Sequence, residues 1–338
     1  MNSKNIVFTK PNTAELWEEP VRKPAEDEVV VKVSHSTISS GTERANLIGD
    51  PVVSIYGKEG DPVVFHRRCG YSSAGVVVQT GTAVTAVKVG DRVAIGGSTH
   101  SQFVTVPGKA VHPIGGVPFC DAALFYIATF PLAAIRKCRL EIGESAIVMG
   151  MGVLGLMALP LLKSAGATPV IAVDPMPEKR EKALACGADY ALDPFEPQFA
   201  ETVKKITDGG ANIGIEVTGI GAGLDGILNC MAPFGRVALL GCTRSSDFSI
   251  DYYRKVHGPG ITLIGAHTLA RPEAESSAGW WTTKDDMATL RRLTELHRIS
   301  LAHAIDETHS PEEAPEVFHR LATQKAFPIV QFDWGRCE

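Results

Sequence analysis

The sequence predicts an α/β protein in which a doubly wound parallel-sheet domain is inserted into a β-rich one. Three observations carry this. The first third alternates short Val/Phe-rich runs with Gly, Asp and Pro; from Ser145 onward apolar strand-like runs alternate with helical stretches, as in βαβ units; and beyond Ala270 that alternation stops. At 338 residues the chain exceeds what one hydrophobic core usually supports, so two domains are expected. The expected division is 1–128 completed by 271–338, and 129–270.

In the first domain strands are expected at Glu28 to Val33 (EVVVKV), Gly75 to Gln79, Arg92 to Ile95 and Gln102 to Val106. In the second they are expected at Ala146 to Met149, Val170 to Val173, Ile213 to Val217, Val237 to Leu240 and Ile261 to Ile264, with helices starting near Val153, Glu178 and Gly223. The segment from Lys284 to His297 places Met287, Leu290, Leu293 and Leu296 at helical spacing. A further helix is expected from Pro311 to Gln324, with Ser310 as its N-cap, before a last strand at Ile329 to Phe332.

The composition, 44% apolar and 21% charged with 33 glycines and 21 prolines, fits a globular chain and excludes a disordered or fibrous one. The net charge of -5 is spread along the chain, and no basic run exists to track a phosphate backbone, so no nucleic-acid partner is expected. The start, MNSKNIVFTKPNTAELWEEP, lacks a continuous apolar stretch, and no segment has the uninterrupted apolar length of a membrane span. The expectation is a cytoplasmic protein with no membrane partner. Cys69, Cys120, Cys138, Cys186, Cys230, Cys242 and Cys337 are scattered, odd in number and form no CxxC pair, as suits thiols in a reducing compartment.

The sharpest motif is SAIVMGMGVLGLMALPLLKSAGA, in which Gly150, Gly152 and Gly155 form GxGxxG between a strand and a helix. Gly150 suits a tight turn, Gly152 a close backbone approach to a pyrophosphate, and Gly155 the packing of helix on strand. Val153 and Leu154 open that helix, whose free N–H groups and partial positive charge suit phosphate. The next strand ends at Asp174, nineteen residues after Gly155, where a carboxylate accepts hydrogen bonds from ribose hydroxyls and repels a 2′-phosphate. The expected cofactor is therefore NAD. Asp174 alternatively caps the next helix, and Lys179 is either a ribose contact or a surface lysine. Thr218, Gly219 and Gly241 end later strands at the edge where ligand crevices form.

Together with SSGTE at Ser39 to Glu43, GYSSAGVVVQTG at Gly70 to Gly81, VKVGDRV at Val87 to Val93 and SQFVTVP at Ser101 to Pro107, this fingerprint resembles the medium-chain dehydrogenase/reductase superfamily over nearly the whole chain. The resemblance implies a Rossmann domain inserted in a GroES-like catalytic domain. It implies hydride transfer between a nicotinamide and a hydroxyl or carbonyl of a small-molecule substrate. The tail VHGPGITLIGAHTLARPE with Trp280 and Trp281 looks like members acting on sugars, glycosides or cyclitols. Zinc-dependent relatives carry Cys before GTD, then GHE, then a third acidic or thiol ligand. Here those positions hold Ser40, then Tyr71 and Ser72, then Phe125 or Tyr126. Neutral hydroxyls do not make the ligand set that catalytic zinc requires, and AIGGSTH replaces the lobe that holds structural zinc in some relatives, so no metal is expected.

Without a metal, hydrogen-bond donors must stabilise the developing alkoxide. The resemblance places Ser40, Thr42 and Tyr71 around the reacting oxygen, with Tyr71 as acid/base and Thr42 as relay. The alternative for Tyr71 is a packed aromatic bonded to a backbone carbonyl. Thr129 matches a threonine that contacts the nicotinamide. Glu43, with Arg44, orients a polar substrate or forms a structural ion pair; Tyr126 is a substrate-site candidate, His66, His257 and His267 are substrate-site candidates or structural histidines, and Trp280 is an apolar platform for a sugar face or ordinary packing. The strand at Ile261 to Ile264 leaves a sheet edge, which related proteins pair across a two-fold axis, so a homodimer or homotetramer is expected. A quinone or enoyl reductase, and a non-catalytic nucleotide-binding protein, are the competing readings.

Overall fold

The computed structural model describes residues 1–246 and 248–337. The chain opens with β1 (Asn2–Lys10), β2 (Thr13–Pro20), β3 (Glu28–Thr37) and helix α1 (Ser40–Ile48). Then come β4 (Ser72–Thr80), β5 (Arg92–Gly96), β6 (Phe103–Pro107), β7 (Val111–Pro113), α2 (Phe119–Ala122) and α3 (Phe125–Lys137). The βα alternation follows as β8 (Ala146–Met149), α4 (Val153–Ser164), β9 (Val170–Val173), α5 (Pro177–Ala185), β10 (Tyr190–Leu192) and α6 (Phe199–Ile206). It continues through β11 (Ala211–Glu216), α7 (Gly221–Asn229), β12 (Met231–Leu239) and β13 (Thr262–Gly265). The chain closes with α8 (Thr283–Glu295), β14 (Glu307–His309), α9 (Ala314–Thr323) and β15 (Val330–Asp333).

Two compact units form. The first takes residues Met1–Ile127, Leu290–Glu295 and the chain from Ile305; the second takes Ala128–Thr289 and Leu296–Ala304, so it continues beyond residue 270.

In the first unit β3 is the central strand, pairing with β4, β6 and β15. It runs four residues past Val33 because β15 supplies ladder partners there, with Gln331 opposite Thr37 and Asp333 opposite His35. Alternation sends Val29, Val31 and Val33 into a core with Val77, Val93, Val104, Phe318 and Phe332. Phe8 joins it, edge-on to Phe318 at 4.8 Å between ring centroids. The hairpin of β1 and β2, with Ile6 opposite Leu16, was not among the expected strands. Its signal was present: an apolar IVF run, the turn residues Lys10 to Asn12, then a second extended run. Ser310 does cap its helix. It accepts from Glu312 N while Glu313 accepts from Ser310 N at 2.8 Å, although the first turn, Pro311–Glu313, is 3-10.

In the second unit the sheet order is β10-β9-β8-β11-β12-β13, and every pairing is parallel. Each residue of β8 and β9 is buried, which is why those strands read as continuous apolar runs. The strand order reverses between β8 and β11, the crevice where ligands bind in such sheets. At the far side β13 is the edge strand, with Thr262, Leu263 and Gly265 exposed. Among the described residues no helix is long and apolar enough to cross a membrane.

Candidate active site

The glycine turn of the second unit is built from backbone. Gly150 has φ 102°, open to glycine at little cost, and donates to Val173 O at 2.8 Å, which ties the turn to β9. A Cβ on Gly155 would lie 1.9 Å from Gly150 O, so α4 closes directly onto the turn. At Gly152 the opposite holds: nothing lies within 4 Å of an added Cβ, and this residue starts α4 with no side-chain cap. Open space in front of an uncapped helix N-terminus, where Val153 and Leu154 begin, fits a dinucleotide pyrophosphate.

Asp174 fixes the far side of the turn. Its Oδ2 accepts from Met151 N at 2.9 Å and its Oδ1 from Met176 N at 3.0 Å. The carboxylate braces the glycine turn and the entry to α5, and each oxygen keeps a lone pair for a further donor. Lys179 lies in the first turn of α5. Glu216, which the sequence reading did not single out, ends β11 buried and accepts from Thr218 N at 2.8 Å, from the Thr218 hydroxyl and from Gly219 N. Burial pushes its carboxyl above the usual range, against those bonds. Gly219 and Gly241 sit back to back, since a Cβ on Gly241 would lie 2.4 Å from Gly219 N. Thr218, Gly219, Cys242, Arg244 and Phe248 line a pocket of ≈ 420 Å³.

The hydroxyl cluster belongs to the first unit. Tyr71, just ahead of β4, donates its O–H to Ser39 Oγ, and Tyr126 stands edge-on to it with ring centroids 5.9 Å apart. Gly96 lets Tyr126 in: a Cβ there would lie 2.5 Å from Tyr126 Cδ2. The expected relay is corrected here. Ser39, not Ser40 or Thr42, meets the phenol, because α1 starts at Ser40 and Ser39 retains non-helical angles (φ -92°, ψ 88°) that turn it toward β4. The Thr42 carbonyl instead serves Asn46 Nδ2 at 3.0 Å.

Glu43 is also corrected. It is 1% exposed, and its carboxylate is taken by His100 Nε2 at 2.9 Å and Ser39 N at 2.7 Å, so it does not orient a substrate directly. Arg44 turns away to Gln324 O. His100 was missed, because nothing near it in sequence marks it out. Thr129 has no exposed surface, and its carbonyl accepts from Arg271 Nη2 at 3.0 Å. His66 packs edge-on against Trp17, His257 stacks on Tyr252, and His267 Nδ1 accepts from Leu269 N at 3.2 Å. Trp280 is 41% exposed, but Lys137 Nζ sits 4.9 Å from its ring centroid, which limits it as a sugar platform. Burial, reinforced by Arg271, brings Lys137 down to about 8.

Residues 153–280 match the family model described as zinc-binding dehydrogenase. L-threonine 3-dehydrogenase of Pyrococcus horikoshii is 30% identical over 297 residues, covering 77% of this chain and 81% of that protein. The chain belongs to the medium-chain dehydrogenase/reductase superfamily. It is accordingly an oxidoreductase of the dehydrogenase type. A more distant member of this superfamily, D-guloside 3-dehydrogenase of Shigella flexneri, is 23% identical over 95% of this chain and 96% of its own length. The fold is shared with solved structures: an alcohol dehydrogenase from Escherichia coli complexed with NADH (19% identity, 98% and 99% coverage, TM-score 0.81) and a dehydrogenase from Sinorhizobium meliloti bound to NADP (19%, 98% and 99%, TM-score 0.80).

Ser72 is buried with its hydroxyl on Ala123 O at 2.7 Å, and Phe125 is buried in α3. Among the described residues no group of three or more His, Cys, Asp or Glu side chains is placed to hold a metal ion.

Proposed function

We propose that this dehydrogenase uses NAD(H), works without catalytic zinc, and exchanges hydride with a secondary hydroxyl or ketone of a sugar, glycoside or cyclitol. The observation that carries the reading is the Tyr71–Ser39 hydroxyl pair, in which Tyr71 takes a place that the resemblance to zinc-dependent members gives to a metal ligand. Ser and Tyr hydroxyls are poor zinc donors at neutral pH but serviceable proton carriers.

The nicotinamide, when bound, supplies the hydride acceptor or donor. The chain's own residues do three things. The open N-terminus at Gly152 to Leu154 receives the pyrophosphate. Asp174, already held by two backbone amides, takes the adenosine ribose hydroxyls and disfavours a 2′-phosphate. Tyr71 handles the proton. In ketone reduction its O–H donates to the substrate oxygen; in oxidation the substrate hydroxyl proton passes to the phenol oxygen, the phenol proton moves along its bond to Ser39 Oγ, and Ser39 releases its own hydroxyl proton to solvent.

D-Guloside 3-dehydrogenase, similar over nearly the whole chain, supports the sugar-like substrate class. The exposed edge of β13 supports a homodimer or homotetramer. The deciding experiment measures zinc content and turnover of chelated enzyme across sugars, glycosides and cyclitols with NAD and NADP. Metal-free, NAD-preferring turnover is expected. Stoichiometric zinc whose removal abolishes turnover overturns the reading, and NADPH-dependent reduction of quinones or enones alone replaces it with a reductase.

A further inference from the structure

We propose that the buried Glu43–His100 pair is a positioning device for Tyr71, gripping from both ends the residues that form the Tyr71–Ser39 hydrogen bond. This rests on the acid/base reading of Tyr71. From the Ser39 side, Glu43 Oε1 accepts from Ser39 N at 2.7 Å, which fixes the backbone carrying the acceptor hydroxyl. From the Tyr71 side, His100 packs beneath the preceding residue. Gly70 has φ 96°, and a Cβ there would lie 2.8 Å from His100 N and 3.0 Å from the imidazole, so only glycine lets the ring in. His100 N donates to Cys69 O at 2.8 Å and Gly97 N to Tyr71 O at 2.9 Å, completing the backbone clasp. The two sides join at His100 Nε2 and Glu43 Oε2, 2.9 Å apart.

A run of hydrogen bonds ties the pair into the core: Trp334 Nε1 donates to Ser36 Oγ at 2.9 Å, Ser36 Oγ and His100 Nδ1 share a hydrogen bond at 2.8 Å, and His100 Nε2 meets the Glu43 carboxylate. Ser36, Glu43 and His100 are each 1% exposed, and Phe318 and Phe332 border the imidazole. A buried carboxyl–imidazole pair is a costly way to stabilise a core that apolar side chains would fill as well. What it supplies that they do not is direction: hydrogen bonds that hold Ser39 and the Gly70–Tyr71 turn in one register.

A double-mutant cycle tests this. His100→Leu is made in the native and Tyr71→Phe backgrounds of the full chain, and kcat, KM, NADH affinity and Tm are measured. If His100 acts through Tyr71, His100→Leu lowers kcat by roughly tenfold to a hundredfold in the native background, with KM and NADH affinity within about twofold, and changes kcat less than about twofold once Tyr71 is phenylalanine. His100→Gln, which still donates to Glu43, restores most of the loss. Equal losses in both backgrounds, or full activity in His100→Leu, overturn the proposal. Should His100→Leu fail to fold, Glu43→Gln carries the same cycle with the same criteria. Near-normal turnover of Tyr71→Phe alone removes the acid/base reading itself. A crippled Tyr71→Phe beside an active His100→Leu removes only the positioning role.

Discussion

The glycine turn of the second unit and the hydroxyl cluster of the first are built from different materials. The turn is mostly backbone: Gly150 to Gly155 follow one another in the chain, and Asp174 arrives at the end of the next strand to brace them through two amides. The cluster is side chains brought together from far apart, with Ser39 ahead of α1, Tyr71 ahead of β4, His100 in the loop before β6 and Tyr126 in α3. A site made of consecutive backbone tolerates little change in its glycines but needs little from the rest of the fold. A site made of distant hydroxyls depends on strand register, because a slip of one residue turns a side chain to the other face.

That contrast is open to direct attack. The largest effect is expected at Tyr71: Tyr71→Phe lowers kcat by roughly two to four orders of magnitude, the range of a positioned acid/base, while NADH affinity by fluorescence titration stays native. A loss of both together would mean that the two regions do not act separately. Within the turn, Gly155→Ala forces a Cβ to within 1.9 Å of Gly150 O, so both Tm and NADH affinity fall, the latter by about tenfold or more.

Gly152→Ala sharpens the same point, because its Cβ meets nothing within 4 Å. Calorimetry is expected to give a native Tm with NADH binding weakened by about tenfold, the signature of a methyl standing where the pyrophosphate lies. Unchanged binding would move the phosphates elsewhere. At Asp174 the expected change is one of preference: Asp174→Ala lowers the NAD-to-NADP ratio of kcat/KM by roughly tenfold, in line with hydrogen bonds to a charged group. The smallest effect is expected from a chelator, which leaves turnover as it was.

Legibility in the sequence follows the same division. β8 and β9 were bounded correctly from their apolar runs alone, and α4 starts at the expected Val153, because burial on both faces and a glycine turn leave a continuous local pattern. The strand β10 and helix α6 were not. Tyr190–Leu192 is a three-residue edge that exists through its pairing with β9, and α6 has only Phe199 and Val203 buried across two turns. In the first unit α1 was read as a motif and not as a helix, so its start at Ser40, which decides that Ser39 faces Tyr71, was not anticipated. His100 gave no signal at all, since its partners Ser36 and Glu43 lie more than fifty residues away.

By itself the sequence determined the two-part α/β plan, the parallel sheet and the glycine turn with Asp174. All of these are written in local composition and spacing. Tertiary structure alone decided which hydroxyl meets Tyr71, that Glu43 is committed to His100, and that Thr129 and Trp280 are engaged by Arg271 and Lys137. The physical reason is that hydrogen-bond partners are chosen by the register of strands and the starting residue of a helix. A shift of one position in either leaves the motif intact and changes the contact.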